Sequence, residues 1–138
     1  MIGIRYYKDS DYNGVRQVLK ESSLYYYGWD NRKNLKKKIS KDKRSIAVAT
    51  DDKKIVGVIY LIDDGWGSFL FRLSVLKSYR KHGIGSMLLE HAEKTLIKYG
   101  KKDVSLFIRS NDRMLLKYYK KRGFRKLKTY TEMNKVLR

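Results

Sequence analysis

The sequence predicts an α/β fold in which a mixed, mostly antiparallel central sheet is flanked by helices. Three observations carry this. β-Branched runs at residues 45–50, 55–62 and 68–75 are separated by short connections rich in Asp and Gly, the pattern of an antiparallel meander. From Ile84 the apolar residues Leu88, Ala92, Thr95, Leu96 and Tyr99 recur at helical spacing until Gly100, a favourable C-terminal stop. A further apolar run, residues 104–108, then follows that helix as a buried strand. With 138 residues the chain is long enough for one domain with its own core and short for two, so residues 1–138 are read as a single domain.

The elements follow in order. Residues 2–6 alternate as a short strand, and Asp9, Ser10 and Asp11 offer capping oxygens to a helix whose residues Val15, Val18 and Leu19 share one face. Residues 25–29 are an aromatic cluster, and residues 31–40 a highly charged helix anchored by Leu35 and Ile39. The connection at residues 51–54 makes a hairpin of the first two meander strands, and the turn at residues 63–67 leads into the third. After the long helix come a buried strand at 104–108, a basic helix at 112–122 and two terminal strands within 124–136. No proline, linker or internal repeat interrupts this order.

Composition excludes several classes. The absence of cysteine removes disulfides, thiolate metal sites and a cysteine nucleophile. No apolar run approaches the roughly 18 residues of a membrane span, and the N-terminus, with Arg5, Lys8 and Asp9, lacks a signal-peptide core, so a cytoplasmic protein is expected. Lys and Arg number 33 against 14 Asp and Glu, a formal charge of +19 that favours anionic partners through long-range attraction. The cations are spread over the whole chain instead of gathered in a tail, which suits a solvated basic surface.

The stretch most suggestive of chemistry runs from Arg80 through Lys81, His82, Gly83, Ile84 and Gly85 to Ser86, between a strand end and the long helix. The first N–H groups of a helix lack intrahelical partners and its dipole is positive there, so the segment can receive phosphate oxygens. Gly83 and Gly85 allow close backbone approach. This strand, Arg-x-x-Gly-x-Gly loop and helix resembles the central motif of the GNAT superfamily of N-acetyltransferases. Tyr119 followed by Gly123 and Phe124 resembles the family's Tyr-x-x-x-Gly-Phe helix ending, residues 133–137 resemble its closing strand, and Ile4, Arg5 and Asp11 before an amphipathic helix resemble its opening.

The resemblance implies a GNAT-like acyl-CoA transferase fold and transfer of acetyl from acetyl-CoA to an amine, with no metal. It implies that Leu73, Ser74 and Val75 hold the pantetheine arm through main-chain groups, and that the amides from Lys81 to Ser86, helped by Arg80, hold the pyrophosphate. Tyr119 stands at the general-acid position, with Tyr118 the alternative. Asn111 resembles a pantetheine-contacting asparagine but stands one residue early, Asp112 occupying the register position, and a capping role suits Asn111 equally.

Two departures from the pattern stand out. Lys77 replaces a common proline, and Phe107 stands where ribosomal-protein N-acetyltransferases carry a glutamate base. Deprotonation then falls to water, to Asp63, Asp64 or Glu21, or to an amine already partly neutral; His82 and His91 are poor base candidates. The acceptor is open among protein N-termini, lysines, aminoglycosides and small amines, with a peptide or protein favoured over a cationic polyamine by the net charge. Two alternatives stand beside the enzyme: a nucleic-acid or ribosome-binding module using the basic surface and Tyr25, Tyr26, Tyr27 and Trp29, and an acyl-CoA-binding domain without catalysis.

Overall fold

The structure, a computed structural model, describes residues 1–138. The chain divides into two compact units, Met1–Leu106 and Phe107–Arg138. In the first, strand β1 (Ile2–Tyr6) precedes helix α1 (Tyr12–Glu21), the single turn α2 (Tyr27–Asp30) and helix α3 (Arg32–Lys41). Strands β2 (Ile46–Asp51), β3 (Lys54–Asp63) and β4 (Ser68–Val75) follow, then helix α4 (Ile84–Lys98) and the short strand β5 (Ser105–Leu106). The sheet runs β1-β2-β3-β4-β5; the first three pairings are antiparallel and the last, made after the α4 crossover, is parallel.

The core forms where α1 and α4 cover β3, which is buried without interruption from Ile55 to Leu61, as a strand shielded on both faces must be. Val15, Val18 and Leu19 of α1 and Leu88 and Leu89 of α4 are fully buried. Backbones come close at two glycines. A Cβ on Gly14 would meet Ile55 Cγ1 at 2.6 Å, and one on Gly57 would meet Leu88 Cδ1 at 3.0 Å and the Ser74 carbonyl at 3.2 Å. Helix α4 ends as expected: Gly100 takes the left-handed conformation (φ 80°), and the Gly100 and Lys101 amides donate to the carbonyls of Ile97 and Leu96.

Two register shifts shape the sheet. One lies between β2 and β3 near Ala49 and Thr50. The other sets Leu73 and Arg72 of β4 against Ile59 alone, since Ser74 faces Val58 and Phe71 faces Tyr60. Arg72 carries this bulge with φ 57°, a left-handed conformation uncommon outside glycine.

Several expectations are corrected. The oxygens of Asp9 and Asp11 do not cap α1: Asp11 accepts from both terminal nitrogens of Arg5 at 2.7 and 2.9 Å and from the Lys8 amide, while Asp9 pairs with Arg32. The strand expected at 104–108 shrinks to two residues, with Phe107 61% exposed. In the second unit, helix α5 (Arg113–Lys121) forms, capped by the Asp112 carboxylate accepting from the Leu115 amide at 3.0 Å. The two terminal strands do not form. Phe124, Leu127, Tyr130, Met133 and Val136 recur every third residue, so this stretch has no two-residue apolar alternation to present to a sheet, and Leu127 through Leu137 remain exposed.

Candidate functional site

The site is built from the end of β4 upward. After Val75 the chain makes a 3₁₀ turn at Lys77–Tyr79, reaches Arg80, turns through left-handed Lys81 (φ 66°) and Gly83 (φ 81°), and enters α4 at the buried Ile84. Three ties fix this path. Tyr79 donates its hydroxyl to Asp51 at 2.7 Å, the Lys77 amide donates to Glu21 Oε1 at 2.6 Å, and the Arg80 Nε donates to the Val75 carbonyl at 2.9 Å. Arg80 also donates through Nη2 to Ser22 Oγ at 3.0 Å; the Ser22 and Ser74 hydroxyls are hydrogen-bonded, and Ser74 donates on to the Val18 carbonyl at 3.3 Å. Ser22 is thus the hinge of a polar chain joining α1, β4 and the loop, and no motif in the sequence marked it.

The loop suits an anionic ligand. Gly83 precedes helix α4 as its N-cap without a side-chain hydrogen bond, and a Cβ there would meet nothing within 4 Å, so the space at this residue is open. Lys81 and His82 are exposed, Gly85 and Ser86 half-buried. Positive dipole and first-turn amides meet there beside the exposed cation Lys81, while the Arg80 guanidinium is directed back to Val75 and Ser22.

Beside the loop, the sheet is split. Strands β4 and β5 pair only at Phe69 with Ser105 and at Leu70 with Leu106. Beyond Leu70 the same edge of β4, including Leu73, Ser74 and Val75, has no strand partner, leaving main-chain groups for another extended segment apart from the Val75 carbonyl, which accepts from Arg80. Ser74 is buried and Leu73 and Val75 half-buried, so these three serve the core as well as that edge.

The aromatic cluster is held by side chains absent from any motif. The Tyr12 and Tyr25 hydroxyls lie 2.7 Å apart, with Arg16 and Lys20 over the Tyr25 ring. Tyr26 and Trp29 meet edge to face at 5.3 Å.

In the second unit, Tyr119 is half-buried on α5, its ring edge to face with Tyr118 at 5.1 Å and with Phe124 at 5.5 Å. Burial, and next the neighbouring Tyr118, push its phenol up to about 12, so it is protonated at neutral pH. Tyr118 differs: the Arg122 guanidinium lies 3.5 Å from its ring centroid. Asn111 is exposed, its carbonyl accepting from the Arg113 amide, while Asp112 does the capping.

The carboxylates considered as bases are engaged. Burial opposes ionisation of Asp63, but the Gly65 amide, Lys101 and Arg44 outweigh it and hold the carboxyl below the usual range. The Gly67 and Trp66 amides hold Asp64 low as well. Glu21 is bound to the Lys77 amide, and burial lowers His91, whose ring meets Tyr6 edge to face at 5.5 Å. No group of three or more His, Cys, Asp or Glu is arranged to hold a metal, and no helix is long and apolar enough to cross a membrane.

A split sheet beside a glycine loop at a helix N-terminus defines an acyl-CoA transferase fold. The family described as the acetyltransferase (GNAT) domain matches residues 9–137, and the chain belongs to that family of acetyl-CoA-dependent N-acetyltransferases. Among solved structures the chain is similar to the PaiA N-acetyltransferase of Thermoplasma acidophilum in complex with coenzyme A, at 22% identity over 94% of this chain and 93% of that one, TM-score 0.84. It is also similar to Ard1 of Thermoplasma volcanium (22% identity, 89% and 82% covered, TM-score 0.78). The ribosomal-protein-S18-alanine N-acetyltransferase of Escherichia coli shares 19% identity over 93% and 80% of the two chains, TM-score 0.78.

Proposed function

We propose that this acetyltransferase acts on a primary amine of a peptide or protein. The observation that carries the reading is the interruption of β4–β5 pairing after Leu70, directly before the Arg80–Ser86 loop. Acetyl-CoA supplies the activated thioester. The free edge at Leu73, Ser74 and Val75 binds the pantetheine arm as an added strand and orients the thioester carbonyl toward backbone donors, where charge develops during attack. The amides from Lys81 to Ser86, with Arg80, bind the pyrophosphate, and Asn111 contributes an exposed side-chain amide. Tyr119 donates a proton to the departing thiolate, a role supported by its protonated phenol. With Asp63, Asp64 and Glu21 engaged, the amine gives its proton to water or attacks in the fraction already neutral.

The acceptor class follows from charge. Arg16 and Lys20 of α1 lie over the Tyr25 ring of the aromatic cluster, and on α3 Arg32 and Lys36 share the single carboxylate of Asp9, so the local surface keeps the positive sign of the whole chain. A polyamine is repelled by it; a peptide with acidic residues near its amine is drawn in. The test compares kcat/KM for spermidine and for such a peptide at low and high salt. The peptide wins at low salt, and its advantage shrinks as ions screen the field. Spermidine as the better substrate at both ionic strengths contradicts the acceptor assignment.

A further inference from the structure

Outside the cofactor loop, the most unusual group in the first unit is Asp30, a carboxylate only 1% exposed. Its two oxygens gather four donors. The Tyr26 amide lies at 2.8 Å, the Tyr60 hydroxyl at 3.0 Å, and Arg72 donates through Nη2 at 3.2 Å and Nε at 3.4 Å. These donors come from the turn before α2, from β3 and from the β4 bulge, so one side chain joins three elements. The Arg72 guanidinium in turn lies under Trp29, 5.8 Å from its ring centroid, and Trp29 meets Tyr26 edge to face.

A buried carboxylate needs compensation from donors of this kind, and a hydrophobic residue of similar size fills the same space without that demand. What the ion pair adds is a fixed geometry. The rings it orders are not thereby buried: Tyr26 is 57% and Trp29 61% exposed. The arrangement therefore holds an exposed aromatic surface in one orientation, next to the left-handed residue where β4 bends and shortly before its free edge begins to serve Leu73–Val75.

We propose that Asp30 is a positioning residue for the acceptor, its carboxylate clamping the Tyr26–Trp29 aromatic turn onto the Arg72 bulge and so setting the wall that a peptide amine meets beside β4. This rests on the acyl-transfer reading of the β4 edge. The clamp acts through Trp29 and Tyr26, whose faces a peptide can cover, and its hydrogen bonds are made among Tyr26, Asp30, Tyr60 and Arg72, not to the cofactor loop.

The test exploits the two tryptophans. Trp66 lies 90% exposed in the β3–β4 turn, so Trp66→Phe leaves Trp29 as the single indole reporter. In that background, Asp30→Asn and Arg72→Gln are compared with the parent by acrylamide quenching of Trp29, by acetyl-CoA titration, and by acetyl transfer to the acidic peptide used above. Both variants are expected to raise the quenching constant about two-fold and the KM for the peptide about ten-fold, with kcat and acetyl-CoA affinity within about two-fold of the parent. Should Asp30→Asn fail to fold, Arg72→Gln decides, since Arg72 lies at the rim of the cluster with its side chain 18% exposed. Parent-like quenching in a folded variant overturns the clamp, and increased quenching with an unchanged KM overturns its role toward the acceptor. A parent that transfers nothing to the peptide refutes the peptide-acceptor reading and with it the acceptor role of Asp30, while quenching still decides whether the clamp exists.

Discussion

Arg80 reaches back across the loop it begins, its Nε 2.9 Å from the carbonyl of Val75, and its second nitrogen holds Ser22 at the end of α1. The guanidinium therefore fixes the spacing between the free edge of β4 and the amides that open α4. Arg80→Met is expected to weaken acetyl-CoA binding by about ten-fold or more, since a hydrogen bond to a charged group is worth roughly 1.5–3 kcal/mol when sheltered and less at an exposed site. Ser22→Ala, which removes only the tether, is expected to cost less. Calorimetric titration of both variants checks the order.

Tyr119→Phe is expected to lower kcat by ~10²- to 10⁴-fold with little change in acetyl-CoA affinity, because the proton is needed only as the thiolate leaves. With the phenol pushed up to about 12, the rate shows no falling limb from this group below about pH 11. Tyr118→Phe stays near the parent rate. Stopped assays across pH with all three proteins check this, and a fully active Tyr119→Phe assigns the proton to another donor.

Asp11 ties β1 to the start of α1. Burial works against its ionisation, but Arg5 and the Lys8 amide prevail and hold the carboxyl below its usual value. A depressed folded value means that the stabilisation is complete above the unfolded value, near ~3.9, and is lost as pH falls through the folded one. Asp11→Asn is expected to lower stability at neutral pH by about 1.5–3 kcal/mol and to flatten the acid limb below about pH 4. Urea unfolding at pH 7 and pH 3 measures both.

Gly14→Ala sets two effects against each other. Alanine gains up to ~1 kcal/mol in helix propensity. The added Cβ would stand 2.6 Å from Ile55 Cγ1 and 2.7 Å from its Cβ, and overpacking of this kind typically costs 1–3 kcal/mol. The net expectation is a destabilised protein, read as a lower thermal midpoint.

The sheet, both core helices and the loop are legible in the sequence because each has its own periodicity or turn chemistry: Val15, Val18 and Leu19 on one face, the Asp-rich turns, and Gly100 at the end of α4. The caps are not. Asp9 and Asp11 have the right chemistry for capping, but Arg32 and Arg5 compete for their oxygens, and a local rule cannot see a partner 23 residues away. The terminal strands fail for a different reason, since the apolar residues there repeat every third position. Asp30, Ser22 and Arg72 belong to no motif; each matters through a partner brought close only by folding, and the left-handed Arg72 looks in sequence like any β-strand residue.

The central claim, that the loop from Arg80 to Ser86 binds the cofactor's phosphates, is tested most directly by titrating acetyl-CoA into the protein and into Gly85→Glu, followed by heat and with CoA as competitor. The substitution puts bulk and negative charge at the first turn of α4, where helix dipole and amides favour an anion. Saturable binding at sub-millimolar acetyl-CoA, displaced by CoA, is expected, with its loss in Gly85→Glu while the fold stays intact by circular dichroism. Undiminished binding in a folded Gly85→Glu protein, or no heat in the parent, would contradict it.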